Sequence, residues 1–199
     1  MKIAALVLAA GSSRRLGQPK QLLPYQGRTL LDSSLDVARA APVDQRLVTV
    51  GGAGQEVLDT VDFTGFEIVE SVKHTEGCSS SIVSALDAVD DDAIGFMLLL
   101  GDQPEVDQAA IEKLLAFARS GKAIAVCDYD DGIGHPFWFS RATFGALTEL
   151  HGDKAVWKVI ESDEFPVTKI RIDGDVPLDV DTWEEYEILL AATQHLEEA

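Results

Sequence analysis

The residues with chemistry to offer begin where the first apolar run ends. Ala9, Ala10, Gly11, Ser12 and Ser13 are all small, and Arg14, Arg15 and Lys20 follow them. Small side chains let main-chain amides approach a ligand closely, as in anion-binding nests. Arg15 and Lys20 supply positive charge for phosphate oxygens. The segment therefore reads as a phosphate site. It has neither the GxxxxGK[ST] spacing of a P-loop nor the GxGxxG of a dinucleotide fold. The plainer alternative is a Gly/Ser turn with solvated Arg and Lys. Alternation along the loop predicts that only Arg15 points inward and that Arg14 stays in water.

The charge of the whole chain sharpens this reading. The 199 residues carry 34 Asp and Glu against 16 Lys and Arg, a formal charge of −18. Residues 1–31 hold five bases and no acid, and the remaining residues hold eleven bases and all 34 acids. A body this acidic lacks the broad basic face that nucleic acids or anionic membrane surfaces require. The basic island asks instead for a small, local anionic partner. No apolar run approaches the roughly 20 residues of a membrane span. Met1-Lys2 before an apolar stretch imitates a signal peptide, but the run is short and leads into the loop just described. Cys78 and Cys127 lack both a disulfide framework and metal-site spacing, so both are expected to pack as small apolar residues in a reducing cytoplasm.

Elements must hold that loop in place. Strands are expected at Ile3–Ala9, Arg46–Val50, Phe66–Glu70, Ala93–Leu100, Ala123–Asp128, Phe137–Phe139 and Val167–Ile172. Helices are expected at Thr29–Ala41, Gln55–Val61, Ser79–Val89, from an Asp107 cap through Arg119, from a Ser140 cap through Leu150, at Lys154–Glu161 and at Thr182–Ala192. This alternation predicts an α/β fold, a mostly parallel central sheet with helices on both faces. Asp128–Gly134 reads as a loop. The chain is expected to form one domain over residues 1–199. In open parallel sheets ligands bind beyond the carboxyl ends of strands, so the residues after Ala9, Val50, Glu70 and Leu100 matter most. The acid clusters Asp90–Asp92 and Glu184-Glu185 read as solvated faces.

The segment from Leu8 to Pro24 closely resembles the LAAGxSxRxGxPKxLLP signature of molybdopterin nucleotidyltransferases, which have a Rossmann-like nucleotidyltransferase fold. Four further pieces match in order: Gly77-Cys78-Ser79-Ser80-Ser81, Gly101-Asp102-Gln103-Pro104, Gly134-His135-Pro136 and Asp179-Val180-Asp181-Thr182. Ala9-Ala10-Gly11, GDQP and GHP together look most like molybdenum cofactor cytidylyltransferase and its relatives.

The resemblance implies transfer of CMP from CTP to the phosphate of a molybdopterin acceptor, with release of pyrophosphate. The backbone around Leu8, Ala9, Ala10, Gly11, Ser12 and Ser13 would cradle the triphosphate, with Ser79, Ser80 and Ser81 on the base or ribose. Arg15 and Lys20 would neutralise the leaving pyrophosphate. Asp102 and Asp181 would hold Mg²⁺, with Asp179 the alternative to Asp181. His135, Pro136, Lys154 and Trp157 would line the acceptor side. The nucleotide half would run to about residue 105 and the acceptor half from about 106. Partners would be CTP or another NTP, the phosphorylated acceptor, and a molybdoenzyme or its chaperone, in the cytoplasm.

Several residues keep a structural alternative. Asp102 is also a turn former, Asp179 and Asp181 also suit a helix cap, and so do the serines. His135 is equally a buried structural histidine. Ser71–His74 and Ala155–Trp157 depart from the family pattern. The second departure lacks an arginine for the acceptor phosphate, a place that Lys154 or Lys158 would take. These departures keep open GTP, a sugar-phosphate acceptor, or a non-catalytic nucleotide-binding module.

Overall fold

The computed structural model describes residues 1–51, 54–71, 78–149 and 155–197. The chain runs β1 (Lys2–Leu8), a small hairpin β2 (Pro24–Tyr25) and β3 (Arg28–Thr29), α1 (Leu30–Ala40), β4 (Gln45–Val50), α2 (Gly54–Thr60), β5 (Glu67–Glu70) and α3 (Cys78–Leu86). It continues through β6 (Ala93–Leu100), α4 (Gln108–Ala118), β7 (Ile124–Asp128), β8 (Ile133–Ser140), α5 (Phe144–Thr148), α6 (Ala155–Glu161), β9 (Val167–Arg171) and α7 (Trp183–Glu197).

Seven strands form one sheet in the order β5-β4-β1-β6-β8-β7-β9. β1 pairs in parallel with β4 on one side and β6 on the other. β4 with β5 and β7 with β9 are also parallel. Only β8 runs against its neighbours β6 and β7. The reversal follows from a tight turn in which the Tyr129 amide donates to the Gly132 carbonyl at 2.8 Å. Two strands joined that closely can only be antiparallel. The expected loop at Asp128–Gly134 is therefore shorter, because β8 already begins at Ile133.

The centre of the sheet is buried on both sides, which explains why β1 and β6 read as nearly unbroken apolar runs. Successive residues of the central strands serve opposite cores. Ile3, Ala5, Val7, Met97, Leu99 and Trp138 pack against α1, α2 and α4. Ala4, Leu6, Phe96, Leu98, Phe137 and Phe139 pack against α3, α5 and α6. The expected helices on both faces are thus observed. Cys127 lies fully buried in the first core, and its thiol is pushed up to about 12 by burial. The side chain of Cys78 lies outside the described residues.

Helix starts follow local chemistry. Thr29 and Asp32 form a reciprocal capping box at α1, and Asp107 caps α4 by accepting from the Ala109 amide at 2.9 Å. Such caps contribute about 1 kcal/mol each. Ser140 does not cap as expected. A 3-10 turn at Arg141–Thr143 intervenes, α5 starts at Phe144, and the Ser140 hydroxyl is buried without a partner among the described residues.

A third, smaller core decides where the last helix goes. Leu16, Leu23, Tyr25 and Leu30 from the region after β1 pack with Val180, Tyr186 and Leu189. Fully burying a side chain such as Leu23 or Leu189 contributes roughly 2 kcal/mol. Tyr186 adds a hydroxyl donated to the Pro24 carbonyl, and the Thr193 hydroxyl meets Tyr25 at 3.2 Å. This cluster carries residues 179–181 from the far end of the chain to the loop after β1. No described helix is long and apolar enough to cross a membrane.

Candidate active site

β1 is flanked in parallel by β4, which follows it in sequence, and by the later strand β6. At such a switch point the two following loops turn apart and leave a crevice beyond the carboxyl ends of the strands. A cavity of about 610 Å³ opens there. Its wall includes every residue from Leu8 to Arg15 together with Lys20 and Gln21.

The loop is held rigid from beneath. Gln21 is 3% exposed, and its Nε2 donates to the carbonyls of Ala9 at 2.7 Å and Gly11 at 3.0 Å. The Lys20 amide donates to the Ser13 hydroxyl at 2.9 Å. With those carbonyls turned inward, the amides of Ala10, Gly11, Ser12 and Ser13 meet no acceptor among the described residues. A run of unpartnered amides on a fixed loop is an anion cradle. Gln21 itself was not predicted. A lone glutamine beside a lysine carries no spacing signal that would mark it.

Asp102 reaches the same cavity through a close approach of two strand ends. The Gly101 amide donates to the Leu8 carbonyl at 2.9 Å. A Cβ at residue 101 would lie 2.9 Å from both Ala9 Cβ and Leu31 Cδ1. Only glycine allows β6 to end there, so the pair Gly101-Asp102 is a positioning device. Lys20 Nζ contacts Asp102 Oδ2 and lies 2.7 Å from Asp181 Oδ1. Arg15 Nη2 lies 2.5 Å from Asp181 Oδ2. Burial works against the Lys20 charge, but the two carboxylates outweigh it and raise its pKa. Burial likewise works against the Asp181 charge, yet the Lys20 ammonium and the Arg15 guanidinium hold its carboxyl below the usual range.

Asp181 therefore does not cap α7. That duty belongs to Thr182 and Glu185, whose side chains and amides bond reciprocally. Glu185 Oε2 also accepts from the Asp181 amide at 2.9 Å. Glu185 is thus a brace for Asp181, which corrects the expectation of a solvated acid there. The T-x-x-E spacing at 182–185 is the signal that announces it. Asp179 sits beside them, bound by Gln103 Nε2. Burial first, then the charge of Asp102, pushes its carboxyl up to about 6.

Two carboxylates converging on one ammonium form a hard-oxygen donor pair around a cation position. That donor set fits Mg²⁺ or Mn²⁺, which bind through one or two carboxylates plus phosphate oxygens.

The other end of the cavity is aromatic. His135 stacks on Phe137 at 4.1 Å, and Trp157 meets Phe137 edge-on at 5.5 Å. All three border the cavity, as do Leu98, Leu100 and Val156. Gly134 is needed because a Cβ there would lie 2.5 Å from Val176 Cγ1. The Tyr129 hydroxyl donates to the His135 carbonyl at 2.8 Å.

Burial pushes the His135 imidazole down to about 3, so it is neutral near pH 7. The unfolded chain would take up that proton near pH 6.5. Stability from this group is therefore complete above pH 6.5 and is lost as the pH falls toward 3, by up to about 1.4 kcal/mol per unit. His135→Gln should flatten the acid limb of a stability–pH curve between pH 6.5 and 4.5. An unchanged limb would assign the acid sensitivity to other groups.

Not every predicted residue reaches the cavity. Ser81 borders it and donates to the Ser71 hydroxyl at 3.1 Å, but Ser79 and Ser80 do not line it. One turn of helix spreads three successive side chains around the axis, so only one faces the crevice. Pro136 is buried behind the wall, since adjacent residues of a strand point to opposite faces. Arg14 is exposed, as expected, and it also borders the cavity beside Arg15, which is equally exposed. The amides of Leu16 and Gly17 both bond the Ser13 carbonyl, so residues 14 and 15 lie on a turn and do not alternate. Lys154 lies outside the described residues.

An amide cradle, facing basic side chains and paired carboxylates at a sheet's switch point are the equipment of a phosphate-group transferase. Residues 5–167 match the MobA-like NTP transferase domain, and the chain belongs to that family. It is accordingly a nucleotidyltransferase with a Rossmann-like fold. The structure of Rv0371C in complex with manganese, from Mycobacterium tuberculosis H37Rv, is 45% identical with a TM-score of 0.85, covering 96% of this chain and 100% of that one. The purine catabolism protein PucB of Bacillus subtilis is 27% identical over 96% of this chain and 97% of its own length. The molybdenum cofactor cytidylyltransferase of Escherichia coli is 26% identical over 92% of this chain and 93% of its own.

Proposed function

We propose that the protein transfers CMP from CTP to the terminal phosphate of a molybdopterin-type acceptor, releasing pyrophosphate. The observation that carries the reading is the cavity itself. It joins an anion cradle and a cation position at one end to an aromatic wall at the other. The likeness to the E. coli cytidylyltransferase and the Ala9-Ala10-Gly11, GDQP and GHP motifs favour this nucleotide and this acceptor. The first half of the chain, to about residue 105, serves the nucleotide. The later half serves the acceptor, except that Asp181 returns to the nucleotide side.

The amides of residues 10–13 hold the triphosphate. Lys20 and Arg15 move from Asp181 onto the β,γ-phosphates and stabilise the leaving pyrophosphate. Asp102 and Asp181, once released from those bases, would hold a divalent cation, Mg²⁺ in this reading. When bound, that cation supplies Lewis-acid stabilisation of charge on the transferred phosphate. An acceptor phosphate is already ionised near neutral pH, so in-line placement matters more than a general base. Trp157 and the neutral His135 ring stack against the flat part of the acceptor.

The test is pyrophosphate release with each of the four NTPs, Mg²⁺ and molybdopterin, beside a panel of sugar 1-phosphates. CTP with molybdopterin should give product, and a sugar phosphate used in its place should not. Product from a sugar phosphate alone would replace the acceptor assignment. Release with no combination would overturn the reading.

A further inference from the structure

Resting on that nucleotidyl-transfer reading, we infer that Arg14 is the residue that first captures the terminal phosphates of the incoming triphosphate. Among the described residues, three bases border the cavity: Arg14, Arg15 and Lys20. Two of them are already engaged. Lys20 is shared between Asp102 and Asp181, and Arg15 is paired with Asp181. Arg14 has no acidic partner among the described residues. Among the described cavity bases, it is the one whose charge is not offset by an adjacent carboxylate.

The balance of the site makes this significant. Asp102, Asp179 and Asp181 border the same cavity. With Lys20 and Arg15 offset by their partners, the described groups left to attract a polyanion to the resting cavity are Arg14 and the amide cradle. The rest of the chain repels it, since the molecule carries −18 overall. Local positive charge in an otherwise repulsive field governs where an anion lands and how fast. The turn closed by the Leu16 and Gly17 amides on the Ser13 carbonyl sets Arg14 beside Arg15, at the edge of the cradle. Contact there precedes the exchange in which Lys20 and Arg15 leave Asp181. Arg14 thus selects triphosphates over monophosphates, because only a phosphate tail extends beyond the cradle.

The experiment compares wild type, Arg14→Gln and Lys169→Gln. Lys169 is exposed on the edge strand β9 and removes the same charge away from the cavity. Titration calorimetry measures CTP and CMP binding in EDTA, and steady-state assays with Mg²⁺ follow turnover across a NaCl series. Arg14→Gln should bind CTP about tenfold more weakly, leave CMP binding within about twofold, and lower kcat/KM more than kcat. The salt dependence of its kcat/KM should be shallower than in wild type. Lys169→Gln should match wild type. An active wild type whose CTP affinity and salt dependence are shared by Arg14→Gln would overturn the assignment and leave the reaction standing. An equal loss of CMP and CTP affinity would also overturn it. A wild type that binds CTP but transfers nothing to any acceptor would remove the reaction on which the inference rests.

Discussion

Asp102→Asn should lower nucleotidyl transfer about a thousandfold while leaving the melting temperature within a few degrees of wild type. The carboxylate is held at the exit of a central strand, on a glycine that no other residue can replace without striking Ala9 and Leu31. Asparagine keeps the shape and can still meet Lys20, which retains Asp181 as its charged partner. The hydrophobic cores are untouched, so folding has little to lose. The reaction loses a negative ligand at the point where charge must be balanced on the transferred phosphate. Charge stabilisation of that kind contributes several kcal/mol, and about 4 kcal/mol of barrier corresponds to about a thousandfold in rate. Single-turnover assays paired with circular dichroism on the same samples make the comparison. Activity within tenfold of wild type, in a folded variant, would remove Asp102 from the chemistry.

Lys20→Met should produce an opposite pair of effects on catalysis and metal affinity. Turnover should fall by two to three orders of magnitude, about 3–4 kcal/mol, because a charge that stabilises the leaving pyrophosphate is gone. Binding of Mn²⁺ without nucleotide should instead tighten at least tenfold. In the resting site the Lys20 ammonium occupies the position between Asp102 and Asp181. A metal and this ammonium therefore compete for the same carboxylates until a triphosphate draws the lysine away. Removing the ammonium leaves two carboxylates facing each other without their shared cation, which favours any divalent ion that separates them. Thermal unfolding gives the same answer independently. The variant should melt below wild type in EDTA and gain more from Mn²⁺ than wild type does. Unchanged Mn²⁺ affinity would show that the carboxylates do not form a cation site. The same exchange makes CTP and metal binding mutually reinforcing in wild type, since each frees groups that the other needs.

The residues that bear on these predictions differ in how visible they are from sequence. The strands were legible because a sheet covered on both faces demands continuous apolar runs, as in Ile3–Val7 and Ala93–Leu100. The Leu8–Ser13 loop was legible because close backbone approach requires small residues in succession. Asp102 was legible from its place after the most apolar strand. What escaped was support rather than chemistry. Gln21 acts through two carbonyl contacts that no periodicity records. Glu185 is readable from the T-x-x-E spacing, although a run of charge at a helix start more often marks solvated acids. The antiparallel course of β8 depends on a single tight turn, and its acidic, glycine-containing residues look the same in sequence as a longer loop. Arg14 is exposed, as its place beside Arg15 suggests, but the turn after Ser13 leaves both arginines exposed at the cavity edge, so alternation does not separate them. Of the three serines the motif names, Ser81 borders the cavity, because successive helix residues point in different directions.

The most direct test follows the nucleotide itself. CTP carrying label at the α-phosphorus is incubated with the enzyme, Mg²⁺ and molybdopterin, and the products are separated. The proposed reaction places the label in a molybdopterin cytosine dinucleotide, with one pyrophosphate released for each dinucleotide formed. Label that remains in CTP, or that appears only as free CMP, would contradict it.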